Sequence, residues 1–184
     1  MKVLTIHLLI ALTLTGHLLI ALTLTGSALS QNRTIAEHPF FASMLEGSWT
    51  EAGEMVQPQG AVAGKSTSKT KAVLNGQWLQ QDGTAEFGSS TWEWRWMFRL
   101  ATTNEGKEVV QARYLDTNGQ IGDYIGEIVN EGTVLRLSRP LSDTVRNVVQ
   151  VTNREDGSRL VEVALIDKSD QVSLQYKAVG KKDS

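Results

Sequence analysis

The chain has 184 residues, 41% of them hydrophobic and 21% charged, with a formal net charge of −2. That suits one packed domain and argues against disorder; acids and bases are mixed, so neither the basic stripe of a nucleic-acid binder nor a polyelectrolyte tail is present. Cysteine is absent, which removes disulfides, thiolate metal sites and cysteine nucleophiles together, and the only histidines are His7, His17 and His38.

Lys2 is the only charged residue before Arg33, and the stretch between them is rich in Leu, Ile, Ala and Thr. It ends in Ser27-Ala28-Leu29-Ser30, with small residues at positions −3 and −1 before Gln31. A charged start, an apolar run and a small-x-small end are the parts of a secretory signal peptide, so residues 1–30 are expected to be removed on export to the periplasm or medium. The decamer HLLIALTLTG occurs twice, at His7–Gly16 and His17–Gly26. This duplication brings the apolar region towards the ~20 residues that span a bilayer, and a retained membrane anchor is the rival reading. With cleavage, no membrane association is expected. Asn32-Arg33-Thr34 also fits a glycosylation sequon, a short pattern that arises often by chance.

Thr34-Ile35-Ala36-Glu37 fits a capping box. His38 to Leu45 then holds Phe40, Phe41, Met44 and Leu45, which reads as a short helix stopped by Gly47.

From Ser48 onward the apolar period is two. In Trp92-Glu93-Trp94-Arg95-Trp96-Met97-Phe98-Arg99-Leu100, the residues Trp92, Trp94, Trp96, Phe98 and Leu100 share one face, opposite Glu93, Arg95 and Arg99. Similar alternation runs through Val145–Val151, Val161–Leu165 and Val172–Tyr176. Asn75-Gly76, Asp82-Gly83, Glu105-Gly106, Asn118-Gly119, Glu131-Gly132 and Asp156-Gly157 supply turn signals between runs. The pattern predicts about ten strands, near 48–55, 64–74, 76–81, 92–101, 108–116, 121–129, 132–139, 145–153, 159–167 and 171–179. One-sided strands in a meander predict an all-β, antiparallel sheet closed into a barrel, because closure buries one face and removes the edges. Residues 31–184 thus form a single barrel domain, with the short N-terminal helix capping one end.

Gly47-Ser48-Trp49 at the start of the first strand resembles the Gly-x-Trp signature of lipocalins and related calycin barrels. That resemblance implies that Trp49 closes the barrel floor beneath a cation from the last strand, here Lys177. With Leu74-Asn75-Gly76-Gln77-Trp78-Leu79, the Tyr114–Gly119 turn and Tyr176-Lys177, roughly residues 38–180 resemble a bacterial family of exported lipocalin-like barrels without assigned function, similar to nitrobindins and fatty-acid-binding proteins. The resemblance implies an interior pocket and no particular activity.

Trp92, Trp94, Trp96 and Phe98 are candidate pocket-lining residues, with plain core packing as the alternative. Asn147 is the one polar residue in line with Val145, Val149 and Val151, a candidate polar group in the lumen, and Tyr176 is a further candidate ligand-binding residue. A bound carboxylate would want a buried cation. Of the choices Arg113, Arg136, Arg139 and Arg146, alternation turns Arg113, Arg136 and Arg146 outward. No metal-ligand spacing and no cofactor site is found. Histidine-ligated haem is not expected, because His38 precedes the barrel. No catalytic residue stands out: nucleophilic catalysis lacks a base, and Asp116 and Asp123 flank a hairpin as turn formers. The leading expectation is an exported barrel for a small apolar or amphipathic molecule. A scaffold with a filled core is the first alternative, and an enzyme using lumen carboxylates or tyrosines is the second. The ligand and the oligomeric state stay open.

Overall fold

A computed structural model describes residues 34–45 and 47–183. The expected signal segment, its expected cleavage site, and Asn32 and Arg33 of the sequon lie outside these residues. Ten antiparallel strands form a closed barrel: β1 Ser48–Gln57, β2 Gly60–Val73, β3 Trp78–Phe87, β4 Ser90–Thr102, β5 Glu108–Asp116, β6 Ile121–Val129, β7 Val134–Pro140, β8 Val145–Asn153, β9 Arg159–Asp167 and β10 Val172–Lys182. Each strand pairs with its neighbours in sequence, and β1 pairs with β10 to close the ring. Trp49 sits opposite Ser68 of β2 and Lys182 of β10.

Alternation decides which side chains enter the lumen. In β1, Trp49 and Glu51 are buried while Thr50, Ala52 and Glu54 are exposed. In β2 the buried positions are Ser66, Ser68 and Thr70, so one wall of the lumen is polar. In β10 a bulge between Leu174 and Tyr176 breaks the expected alternation, and Val172 is left 66% exposed. The extra residue resets the two-residue period, and both Gln175 and Tyr176 line the lumen.

The positive φ that tight turns require is found at Asn75 and Gly76 (57° and 77°), at Gly119 (82°) and at Gly157 (77°). Asp82-Gly83, read from sequence as a turn, instead lies in the middle of β3, with Asp82 paired to Lys69 and Arg95. Its glycine serves packing: a Cβ on Gly83 would lie 2.3 Å from the Trp94 ring. The hairpin turns further on, at Gly88, whose φ is 58°.

A 3-10 turn, Ile35–Glu37, leads into helix α1, Pro39–Leu45. The Thr34 amide donates to Glu37 Oε2 at 2.9 Å. The Phe40 amide donates to His38 Nδ1 at 3.2 Å, which makes His38 a cap. Seven residues are too few for a helix to persist alone, so packing must hold it. Phe40, Phe41 and Met44 are buried against Leu79, Phe98, Val110 and Leu135, and each such side chain contributes about 1.5–3 kcal/mol. Asn153 at the end of β8 donates to Ser43 Oγ at 3.3 Å. Helix α1 therefore plugs the end of the barrel where β1 begins and β8 ends.

Candidate functional site

The lumen holds a cavity of about 830 Å³. It runs from Met44 of α1 to Gln57, Ser89 and Asn118 in the turns at the opposite end. Trp92, Trp94, Trp96 and Phe98 all line it, with Asn147 and Tyr176.

Its aromatic wall is continuous. Trp96 stacks on Phe98 at 5.6 Å and 14°, and lies 5.0 Å from both Tyr114 and Tyr124. Trp92 stacks on Phe87 at 5.7 Å, and Phe87 meets Tyr176 edge-on. Offset stacks and edge contacts are the arrangements that ring quadrupoles favour. Burial raises the pKa of all three phenols above the ordinary tyrosine value. The neighbouring Glu51 carboxylate pushes Tyr176 further in that direction, and a hydrogen bond to Asp116 does so for Tyr114.

Opposite this wall lies a buried ion pair. Arg159 of β9 is 2% exposed, and its Nε and Nη2 donate to Glu51 Oε1 at 3.0 and 2.5 Å. Nη2 also donates to Ser68 Oγ, which accepts from Gln81 as well. The Tyr176 hydroxyl donates to Glu51 Oε2 at 3.4 Å. Gly180 gives the pair its space, since a Cβ there would come within 3.1 Å of Arg159 Nε.

Trp49 is buried, and its ring is covered by a guanidinium 4.3 Å from the centroid. The guanidinium belongs to Arg159 and not, as expected, to Lys177. Lys177 lies on the outer face of β10 and pairs with Glu162 at 3.2 Å. Parity explains the correction: Lys177 follows the inward Tyr176 and must point out. Arg159 is two residues before Val161, on the inward side of β9.

A second cation enters near the mouth. Arg139 of β7 donates from Nη1 to the Ile121 carbonyl at 2.7 Å and lies 5.2 Å above the Tyr124 ring. Its Nε is buried without a partner, as is Asn147 Oδ1 on the facing strand. The other arginines weighed from sequence point outward: Arg113 pairs with Asp123, Arg136 with Gln150 and Arg146 with Asp170. Asp123 is outside and Asp116 is inside, where it accepts from Tyr114, so the two do not form a carboxylate pair. Among the described residues no cluster of three or more His, Cys, Asp or Glu could hold a metal ion, and no helix is long and apolar enough to cross a membrane.

Sequence reasoning missed Glu51, Ser68, Gln81 and Arg159. The signal was present, since Arg159 has the parity of Val161, Val163 and Leu165, and Glu51 that of Trp49. A charge in an otherwise apolar series marks a buried partner.

No family model matches the chain, and no curated protein does. Its structure is similar to the crystal structure of Rv2717c from M. tuberculosis, with a TM-score of 0.55 over 79% of this chain and 98% of that one. Sequence identity is 15%, so the likeness concerns the fold alone, and what it supports is the closed antiparallel barrel.

Proposed function

We propose that the chain is an exported, lipocalin-like binding barrel that holds a small apolar or amphipathic molecule in its lumen. The observation that carries this reading is the cavity itself: about 830 Å³, plugged at one end by α1 and walled by tryptophan, tyrosine and phenylalanine. Ligand pockets of about 300–1,000 Å³ with apolar walls and a few placed polar groups are the usual form of small-molecule sites. The pattern of the first 30 residues supports export, and the Gly47-x-Trp49 start supports the lipocalin-like assignment.

Titration of the purified protein with a hydrophobic dye tests the reading. Binding should change tryptophan fluorescence, and Trp94→Ala should weaken binding more than it weakens folding. Unchanged fluorescence with every apolar probe would favour a scaffold that binds nothing in its lumen. Export is tested separately by intact mass: a protein starting at Gln31 is expected, and a chain retaining residues 1–30 in the membrane fraction would overturn it.

A further inference from the structure

Arg139 and Asn147 are direct partners across β7 and β8. Cross-strand partners stand ~5 Å apart at Cβ, close enough to bond to each other or to one shared group. Among the described residues neither Arg139 Nε nor Asn147 Oδ1 has a hydrogen-bond partner, although both atoms are buried, and other atoms of both side chains line the cavity. A buried cationic donor left open is costly unless an acceptor completes it. The two carboxylates that line the cavity are engaged elsewhere: Glu51 by Arg159, and Asp116 by the Tyr114 hydroxyl and the Gln120 amide. Arg139 forms no salt bridge among the described residues.

The backbone is shaped to keep this guanidinium where it is. Gly122 of β6 faces inward, and a Cβ there would lie 2.3 Å from Arg139 Nη1 and 2.8 Å from both its Cζ and the Tyr124 ring. The absence of a side chain leaves the space beside the β6 backbone and Tyr124 to the guanidinium. Tyr124 in turn stands 5.0 Å from Trp96. A cation with open hydrogen-bonding capacity therefore borders directly on a stacking surface.

We infer that Arg139 and Asn147 form an anion-recognition site at the mouth of the lumen, and that the barrel takes planar aromatic carboxylates. This rests on the binding reading above and names its ligand class. The carboxylate accepts from the Arg139 guanidinium and from the Asn147 Nδ2 amide, and the ring system lies along Tyr124 and Trp96. Arg suits this task because its donors are fixed in a plane.

The test compares 2-naphthoate with neutral 2-naphthamide, titrated into the purified protein and followed by tryptophan fluorescence. Naphthoate should bind at least tenfold more tightly. Arg139→Gln should abolish that preference while leaving naphthamide binding in place. Asn147→Asp sets a carboxylate opposite Arg139, which should lower naphthoate affinity at least tenfold and keep the fold intact. Gly122→Ala should act in the same direction by displacing the guanidinium. Equal affinities for the two probes, or a preference that survives both Arg139→Gln and Asn147→Asp, would overturn the anion site and leave the binding barrel standing. Binding of neither probe, nor of a hydrophobic dye, would overturn both.

Discussion

Two arginines enter the same lumen, each with one buried guanidinium nitrogen unpartnered among the described residues, but only Arg159 has a counter-charge. Arg159 is fully enclosed, shares Glu51 and Ser68, and covers Trp49. Arg139 is only partly buried, rests on one carbonyl and one ring, and has no carboxylate of its own. A buried charge with its counter-charge inside the protein belongs to the fold. A charge left without a carboxylate beside a cavity is available to whatever enters. The difference comes from the facing residue: Arg159 reaches Glu51 across the barrel floor, whereas the partner of Arg139 across the sheet is the neutral Asn147.

The sharpest way to break this comparison is to remove each cation. Arg159→Met leaves Glu51 charged, buried and without its partner, and should cost about 3–5 kcal/mol. Adding Glu51→Leu should recover much of that loss, because a buried ion pair replaced by apolar groups of similar volume is often neutral or better. Arg139→Gln gives up one hydrogen bond and should cost about 1 kcal/mol. Urea unfolding of the four proteins measures all of this. If the two single changes cost the same, the distinction between a structural and a ligand-facing arginine is wrong.

Trp49→Ala should fall in the same range as Arg159→Met, about 3–5 kcal/mol, as for other large-to-small core changes. The two should not add, since each removes the other's stacking partner. A midpoint that barely moves for Trp49→Ala would refute the role of Trp49 as the closed floor of the barrel.

Ionisation of the tyrosines sharpens the comparison next. All three tyrosines, Tyr114, Tyr124 and Tyr176, face the lumen, and all three are raised above the ordinary value of 10.0. A group raised in the folded state contributes stability that is intact below its unfolded value and is lost as pH climbs towards the folded one. Phenolate absorbance should therefore stay flat through pH 10 and rise only at higher pH, together with loss of near-ultraviolet tryptophan signal. Titration of one tyrosine near its ordinary value in the folded barrel would show a lumen far wetter than its lining suggests. Tyr176, closest to Glu51, should ionise no earlier than Tyr124.

Strand number, closure and the capping helix were legible in the sequence, because a two-residue period with hairpin signals permits few other solutions. The aromatic face of β4 was legible for the same reason. Two things were hidden. The bulge before Tyr176 and the mid-strand Gly83 depend on what lies across the sheet, and a turn signal such as Asp82-Gly83 reads the same whether its glycine bends the chain or admits a tryptophan. The floor cation was readable by parity, since Arg159 shares that of Val161 and Lys177 opposes Tyr176; Lys177 came from the family resemblance alone. The polar wall of β2 was unreadable in kind: Ser66, Ser68 and Thr70 alternate with lysines, which is how an exposed strand also reads.

The smallest expected effect lies on the outer face, and it tests the same comparison from outside. Arg113 holds Asp123 through two hydrogen bonds, 2.6 and 2.9 Å, yet both side chains are more than half exposed. The pair looks better formed than many buried ones, but solvent screens it and ordering two long side chains opposes it. The hydrogen bond from Arg113 holds the Asp123 carboxyl below its ordinary value of 3.8. A group lowered in the folded state contributes stability above its unfolded value and loses it as pH falls through the folded one. Asp123→Asn should therefore shift the unfolding midpoint only slightly at neutral pH, and not at all in strong acid or at molar salt. Glu51→Gln, by contrast, leaves Arg159 charged in a site that salt does not reach, so its large effect should persist at molar salt. Equal salt sensitivity of the two variants would mean that water and ions penetrate the floor of the barrel, and the Arg159–Glu51 pair would then be as screened as any on the surface.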